Sequence, residues 1–154
     1  MCEFQLSDVI ATIAALVACL SALYARWSAL EAKHANNIAK HNERLLIYKA
    51  LLKFKSALAA KGEKFSEEDL WKFDDAVQLS EFFYKKSTFE ELEKIKNNAF
   101  QVQSYVDLYE MTKTADADEY NALLKNTRTL NRQTREQCSL VAESLKKELR
   151  IGSS

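Results

Sequence analysis

Three observations predict an all-α fold. The chain has no proline, its two glycines are Gly62 and Gly152, and no alternating Val/Ile/Thr run closes on an Asn-Gly or Asp-Gly turn. Helices therefore meet few breakers, and no local signal favours strands. The architecture expected is an N-terminal transmembrane helix that continues into a long stalk helix and packs with a small helical bundle. Its parts are a short extracytoplasmic tail at 1–8, a transmembrane helix at 9–25, a heptad stalk at 26–44, a cytosolic bundle at 45–150 and a tail at 151–154.

The first element rests on a charge-free run from Val9 to Ala25. Its 17 residues rise about 25 Å as a helix, the short end of a bilayer span. Leu6 and Phe4 extend it on one side, and Tyr24 and Trp27 suit an interface on the other. Ser7 is the expected N-cap, with Asp8 in the first turn. Glu3 and Asp8 precede the run, whereas Arg26, Lys33, Lys40 and Arg44 follow it. The positive-inside rule then places the C-terminal domain in the cytoplasm and the anchor in the cell inner (plasma) membrane. An acidic rather than basic leading segment argues against a cleaved signal peptide. Leu16-Val17-Ala18-Cys19 resembles a lipobox, so a lipoprotein anchored at Cys19 is an alternative. The apolar run and its repeat continue past that cysteine, which argues against it.

A seven-residue alanine repeat runs through the anchor into the stalk. Residues 11–45 read as five heptads, ATIAALV, ACLSALY, ARWSALE, AKHANNI and AKHNERL. Ala11, Ala18, Ala25, Ala32 and Ala39 open them, and Ala15, Ala22 and Ala29 widen the same face. Small residues let helix backbones approach closely, which improves van der Waals packing in lipid. A strict heptad period favours a left-handed, coiled-coil-like crossing. One apolar run in the chain means that a partner for this seam within the membrane comes from a second copy or from another single-span protein. The expectation is a homo-oligomer. His34 and His41 lie one heptad apart, roughly 10 Å along the helix, too far to share a metal within one copy. They are read as solvated positions.

The stalk helix is expected to reach Lys61, with Gly62 as its C-cap. Leu45, Leu46, Tyr48, Leu51, Leu52, Phe54 and Leu58 form its core-facing surface. Ser66 followed by Glu67, Glu68 and Asp69 reads as a helix start of capping-box type. The helix it starts carries Leu70, Trp71, Phe73, Val77, Leu79, Phe82 and Phe83 as core candidates. Ser87 or Thr88 begins the next, with Phe89, Leu92, Ile95, Ala99, Phe100, Val102 and Val106 inward. A polar break at Thr114–Asp118 precedes a final helix from about Asp118 to Leu149. Leu123, Leu124, Leu130, Val141, Leu145 and Leu149 face its core.

Basic and acidic residues balance at 22 each, but unevenly along the chain. Residues 63–93 carry ten acidic and four basic side chains, whereas 121–150 carry seven basic and three acidic. Lys125, Arg128, Arg132 and Arg135 recur three and four apart and form one basic stripe. Pairing with the acidic segment is the first expectation, and docking of an acidic cytosolic protein the second. Nucleic acid is not an expected partner.

No chemistry emerges from the motifs. The chain lacks a Gly-rich phosphate loop, HExxH, a nucleophile elbow and CxxC. One Glu-x-x-His spacing occurs, Glu31 with His34, but His41 has none, and a di-iron bundle requires two such pairs. Cys2, Cys19 and Cys138 are too scattered for a disulfide framework. No enzyme activity and no cofactor are expected.

The runs HNERLLIYKALLKF at 41–54, KFSEEDLWKF at 64–73 and SEFFYKK at 80–86 look like a loose group of uncharacterised bacterial proteins. These resemble one another in having a single N-terminal span, a charged helical stalk and a small helical cytosolic domain. The resemblance covers about residues 20–86 and implies a membrane location, with no catalytic motif to carry over. The resulting expectation is a membrane-anchored interaction or scaffold protein. A pore-forming or membrane-disrupting effector is the alternative, weakened because only Thr12, Cys19 and Ser21 are polar within the span.

Overall fold

The computed structural model describes residues 6–112 and 117–151 of the chain. It is all-α: α1 spans Leu6–Lys61, α2 Glu67–Phe83, α3 Lys86–Thr112 and α4 Ala117–Ile151, with a 3₁₀ turn at Gly62–Lys64. The chain divides into two compact units, one ending at Ala39 and the other beginning at Lys40.

The described part of the first unit is a single stretch of helix. α1 already includes Leu6, so it starts ahead of the expected cap at Ser7. From Asp8 to Lys40 every residue is exposed.

The second unit is a bundle in which the last third of α1 joins α2, α3 and α4. Ile47, Leu51, Phe54 and Leu58 recur four and three apart, one stripe of a helix, and all are buried. Phe54 stacks on Phe73 with ring centroids 4.5 Å apart and meets Phe65 edge-on at 5.6 Å. These contacts bind α1 to α2 and to the chain between them. Leu70, Phe73 and Val77 of α2 share the core with Leu92, Ile95, Ala99 and Val102 of α3. From α4 come Cys138, Val141, Ala142 and Leu145.

The connections follow local chemistry. Gly62 closes α1 with φ +62°, the left-handed conformation that glycine adopts without strain. The capping box that starts α2 is formed: Asp69 N–H donates to Ser66 Oγ, and Ser66 N–H donates to Asp69 Oδ2. Lys61 adds an ion pair to that carboxylate at 2.6 Å. α3 begins at Lys86, slightly before the caps expected at Ser87 or Thr88. Thr88 is instead buried in the first turn, where its hydroxyl donates to Glu148 of α4 at 2.9 Å. The break expected at Thr114–Asp118 lies mostly outside the described residues, and α4 is under way at Ala117.

Four core expectations are corrected. Leu46, Trp71, Leu79 and Phe82 are exposed, Phe82 by 79%. α2 can bury only one stripe, and Leu70, Phe73 and Val77 occupy it. α4 differs in the opposite sense: it buries Thr127, Asn131 and Thr134 beside its apolar residues. The two threonine hydroxyls donate to carbonyls one turn back, on Leu123 and Leu130, which makes their burial tolerable.

Phe73→Ala should cost about 3–5 kcal/mol of unfolding free energy, and Phe82→Ala about 0.5 kcal/mol or less, in urea titrations of the detergent-solubilised chain. The acid side of stability carries a second signature. Hydrogen bonds from Lys61 and Ser66 hold the Asp69 carboxyl down at about 2, below its ordinary 3.8. A lowered native pKa contributes stability above the unfolded value that fades as pH falls through the native one. Wild type should therefore lose more stability than Asp69→Asn between pH 4 and 2. Parallel melts that showed no such difference would remove the Lys61–Asp69 contact from the account.

Candidate functional site

Two surfaces stand out, one in each unit. The first is α1 up to Ala39. Its large apolar side chains lie open, from Val9 at 44% to Leu20 at 66% and Trp27 at 62%. Among the described residues this is one helix long and apolar enough to cross a membrane, and none of its apolar window is buried. Ala11, Ala15, Ala18, Ala22, Ala25, Ala29, Ala32 and Ala39 are all uncovered. Thr12 and Ser21 in this apolar stretch turn to their own helix: Thr12 Oγ1 donates to the Asp8 carbonyl at 2.7 Å, and Ser21 Oγ to the Val17 carbonyl at 2.8 Å. Such back-bonding satisfies a hydroxyl where water is absent. Cys19 is exposed on the same stretch. His34 is exposed and His41 partly buried, and among the described residues no cluster of His, Cys, Asp and Glu could hold a metal ion.

The second surface is the stripe on α4. Lys125, Arg128, Arg132 and Arg135 are all exposed. Arg128 reaches Glu63 at 3.7 Å, the single ion pair between this stripe and the acidic segment among the described residues. Arg132 and Arg135 line a shallow hollow with Lys55, Ala59, Glu136 and Ser139. Several other carboxylates of 63–93 find their cations elsewhere. Asp74 pairs with Lys96 at 3.5 Å, Glu68 with Lys72 at 2.5 Å and Glu90 with Lys86 at 3.9 Å. The reason is topological: α3 packs against both α2 and α4, and α2 and α4 do not touch. Only Glu63, in the turn before α2, lies close enough to reach the stripe.

A third cluster was not legible beforehand. Arg44 Nε donates to the Phe83 carbonyl at 2.7 Å, and Tyr84 Oη donates back to the Arg44 carbonyl at 3.0 Å. The guanidinium carbon also lies 5.6 Å from the Tyr84 ring centroid, within cation–π range. Burial pushes the Tyr84 phenol up to about 12, with Arg44 opposing and Glu148 adding to the rise. The clasp ties the end of α2 to α1. No spacing rule links Arg44 to a tyrosine forty residues later. Asn98, donating to Gln137 at 2.9 Å, joins α3 to α4 in the same unannounced way.

Cys138 is fully buried, and burial raises its thiol to about 12. That environment suits a packed side chain and opposes a nucleophile. No family model matches the chain, and no curated protein or solved structure matches it.

Thiol labelling checks the burial directly. With Cys2 and Cys19 replaced by serine, maleimide should modify Cys138 at least about 100-fold more slowly in the native chain than in urea. Equal rates would mean that this core opens readily.

Proposed function

We propose that this is a single-pass membrane-anchored interaction or scaffold protein. Residues 9–25 cross the inner membrane, the bundle stands in the cytoplasm, and copies associate through the alanine seam of α1. The observation that carries the reading is the uncovered apolar length of α1. Seven large apolar side chains from Val9 to Leu23 are exposed. Keeping each from an apolar environment forfeits about 1.5–3 kcal/mol, a total comparable with the roughly 5–15 kcal/mol net stability of a domain. Lipid removes that cost.

Orientation is supported by the cations that follow the run, Arg26, Lys33, Lys40 and Arg44, against the acids Glu3 and Asp8 before it. Self-association is supported by the phase of the seam, which repeats through five heptads while the opposite side passes from Leu16, Leu20 and Leu23 to His34, Asn37 and His41. Helix propensity accounts for alanine in general but not for its phase. A pore would need polar groups free to face ions, and Thr12 and Ser21 commit theirs to their own backbone.

Cysteine scanning in native membranes tests the seam. Cys2 and Cys19 are replaced, buried Cys138 is left in place, and single cysteines are moved from Ala22 to Asn36. Disulfide-linked dimers should peak at Ala22, Ala25, Ala29 and Ala32 and be weak at Leu23, Trp27 and Leu30. A membrane-bound chain with no such phase would assign the seam to a different protein and sink the homo-oligomer.

A further inference from the structure

We infer that the bundles of neighbouring copies dock side by side, the outer stripe of α2 on one copy meeting the basic stripe of α4 on the next. The inference rests on the self-association reading, because the anchor must hold copies next to one another.

α2 presents an outward row of acidic and aromatic side chains. Glu67, Trp71 and Phe82 recur at helical spacing, with Asp75 and Gln78 between them, and all five are exposed. Trp71 touches Phe100 at one edge yet remains 55% exposed. α4 presents Arg132, Arg135 and Lys146 on one outward side, all exposed. Among the described residues, none of these three cations has an ion-pair partner, and neither has Glu67. Within one chain the two rows cannot meet, because α3 and the last third of α1 stand between α2 and α4.

The rows match in height and direction. Glu63 pairs with Arg128 at one end of the bundle, and Tyr84 lies beside Glu148 at the other. α2 and α4 are therefore parallel. At equal rise per residue, Glu67 is level with Arg132, Trp71 with Arg135, Asp75 with Ser139, and Phe82 with Lys146. Copies anchored in one membrane share one orientation, so α2 of one runs parallel to α4 of its neighbour at the same level. Carboxylate then faces guanidinium, and each exposed ring faces a cation, the arrangement favoured by charge and by the ring quadrupole. A weak contact suffices, because a shared anchor raises its effective concentration. The contact joins two different faces, so it propagates as a ring or a row rather than closing as a two-fold dimer.

Disulfide formation in native membranes reads this out. The full chain carries D75C and S139C, with Cys2 and Cys19 replaced. α2 and α4 do not touch in one copy, so a bond between these positions links two copies. The expected result is a ladder of dimers and higher oligomers. Arg132→Glu alone and Glu67→Arg alone should each reduce the ladder at least about fivefold, and the two together should restore it. A second cysteine pair, Q78C with E143C, lies one turn along and repeats the test should the first disturb folding, which circular dichroism monitors. A ladder indifferent to the charge swap overturns the inference. So does the absence of a ladder while disulfides at Ala25 still form, and that outcome leaves the seam standing. Loss of both removes self-association altogether.

Discussion

A helix can bury one stripe, and in α1 the stripe that seats the bundle exists only in the last third. Ile47, Leu51, Phe54 and Leu58 are buried, and the stack of Phe54 on Phe73 joins that third to α2. Residues 8–39 lack such a stripe and are uncovered. One element thus has to satisfy two environments, and its composition changes accordingly. Toward the N-terminus its surface is apolar on most sides with one slim alanine face. Toward Lys61 it is an ordinary amphipathic helix with a single packed side.

The bundle has a matching asymmetry in charge. Acidic 63–93 and basic 121–150 carry opposite net charge, and a simple reading brings them together. Order around the bundle prevents it. α2 and α4 are not neighbours, so the acidic residues of α2 pair along their own helix or with α1 and α3, while most of the α4 stripe stays unpaired. Exposed ion pairs contribute little to stability. Charge left over after folding acts instead on what the bundle meets, by steering and by selecting partners.

Polar groups inside the bundle serve connection more than chemistry. The Arg44–Tyr84 clasp, the Thr88–Glu148 bond and the Asn98–Gln137 bond each join successive helices through residues 39 to 60 apart in sequence. Asp74 is buried against Lys96, and breaking one partner of such a pair costs far more than the pair contributes. These bonds orient helices whose apolar contacts alone would tolerate sliding.

Spacing along the chain already specifies the helical class, the end of α1 at Gly62, the capped helix start at Ser66 and most of the apolar stripes. Each depends on residues within a turn or two of one another, so spacing suffices to read it. It also marked an apolar N-terminal run, because charge-free length is visible without a fold. Packing against α1 and α3 selects which face of α2 turns inward and leaves Trp71, Leu79 and Phe82 outside. Composition allowed either side of that helix to serve. Only the tertiary structure sent Thr127, Asn131 and Thr134 to the interior, where helix geometry carries them beside Cys138 and Leu145. The separation of the acidic and basic segments was decided at the same level, because net charge records how much charge a segment carries and not which neighbours the packing of four helices assigns to it.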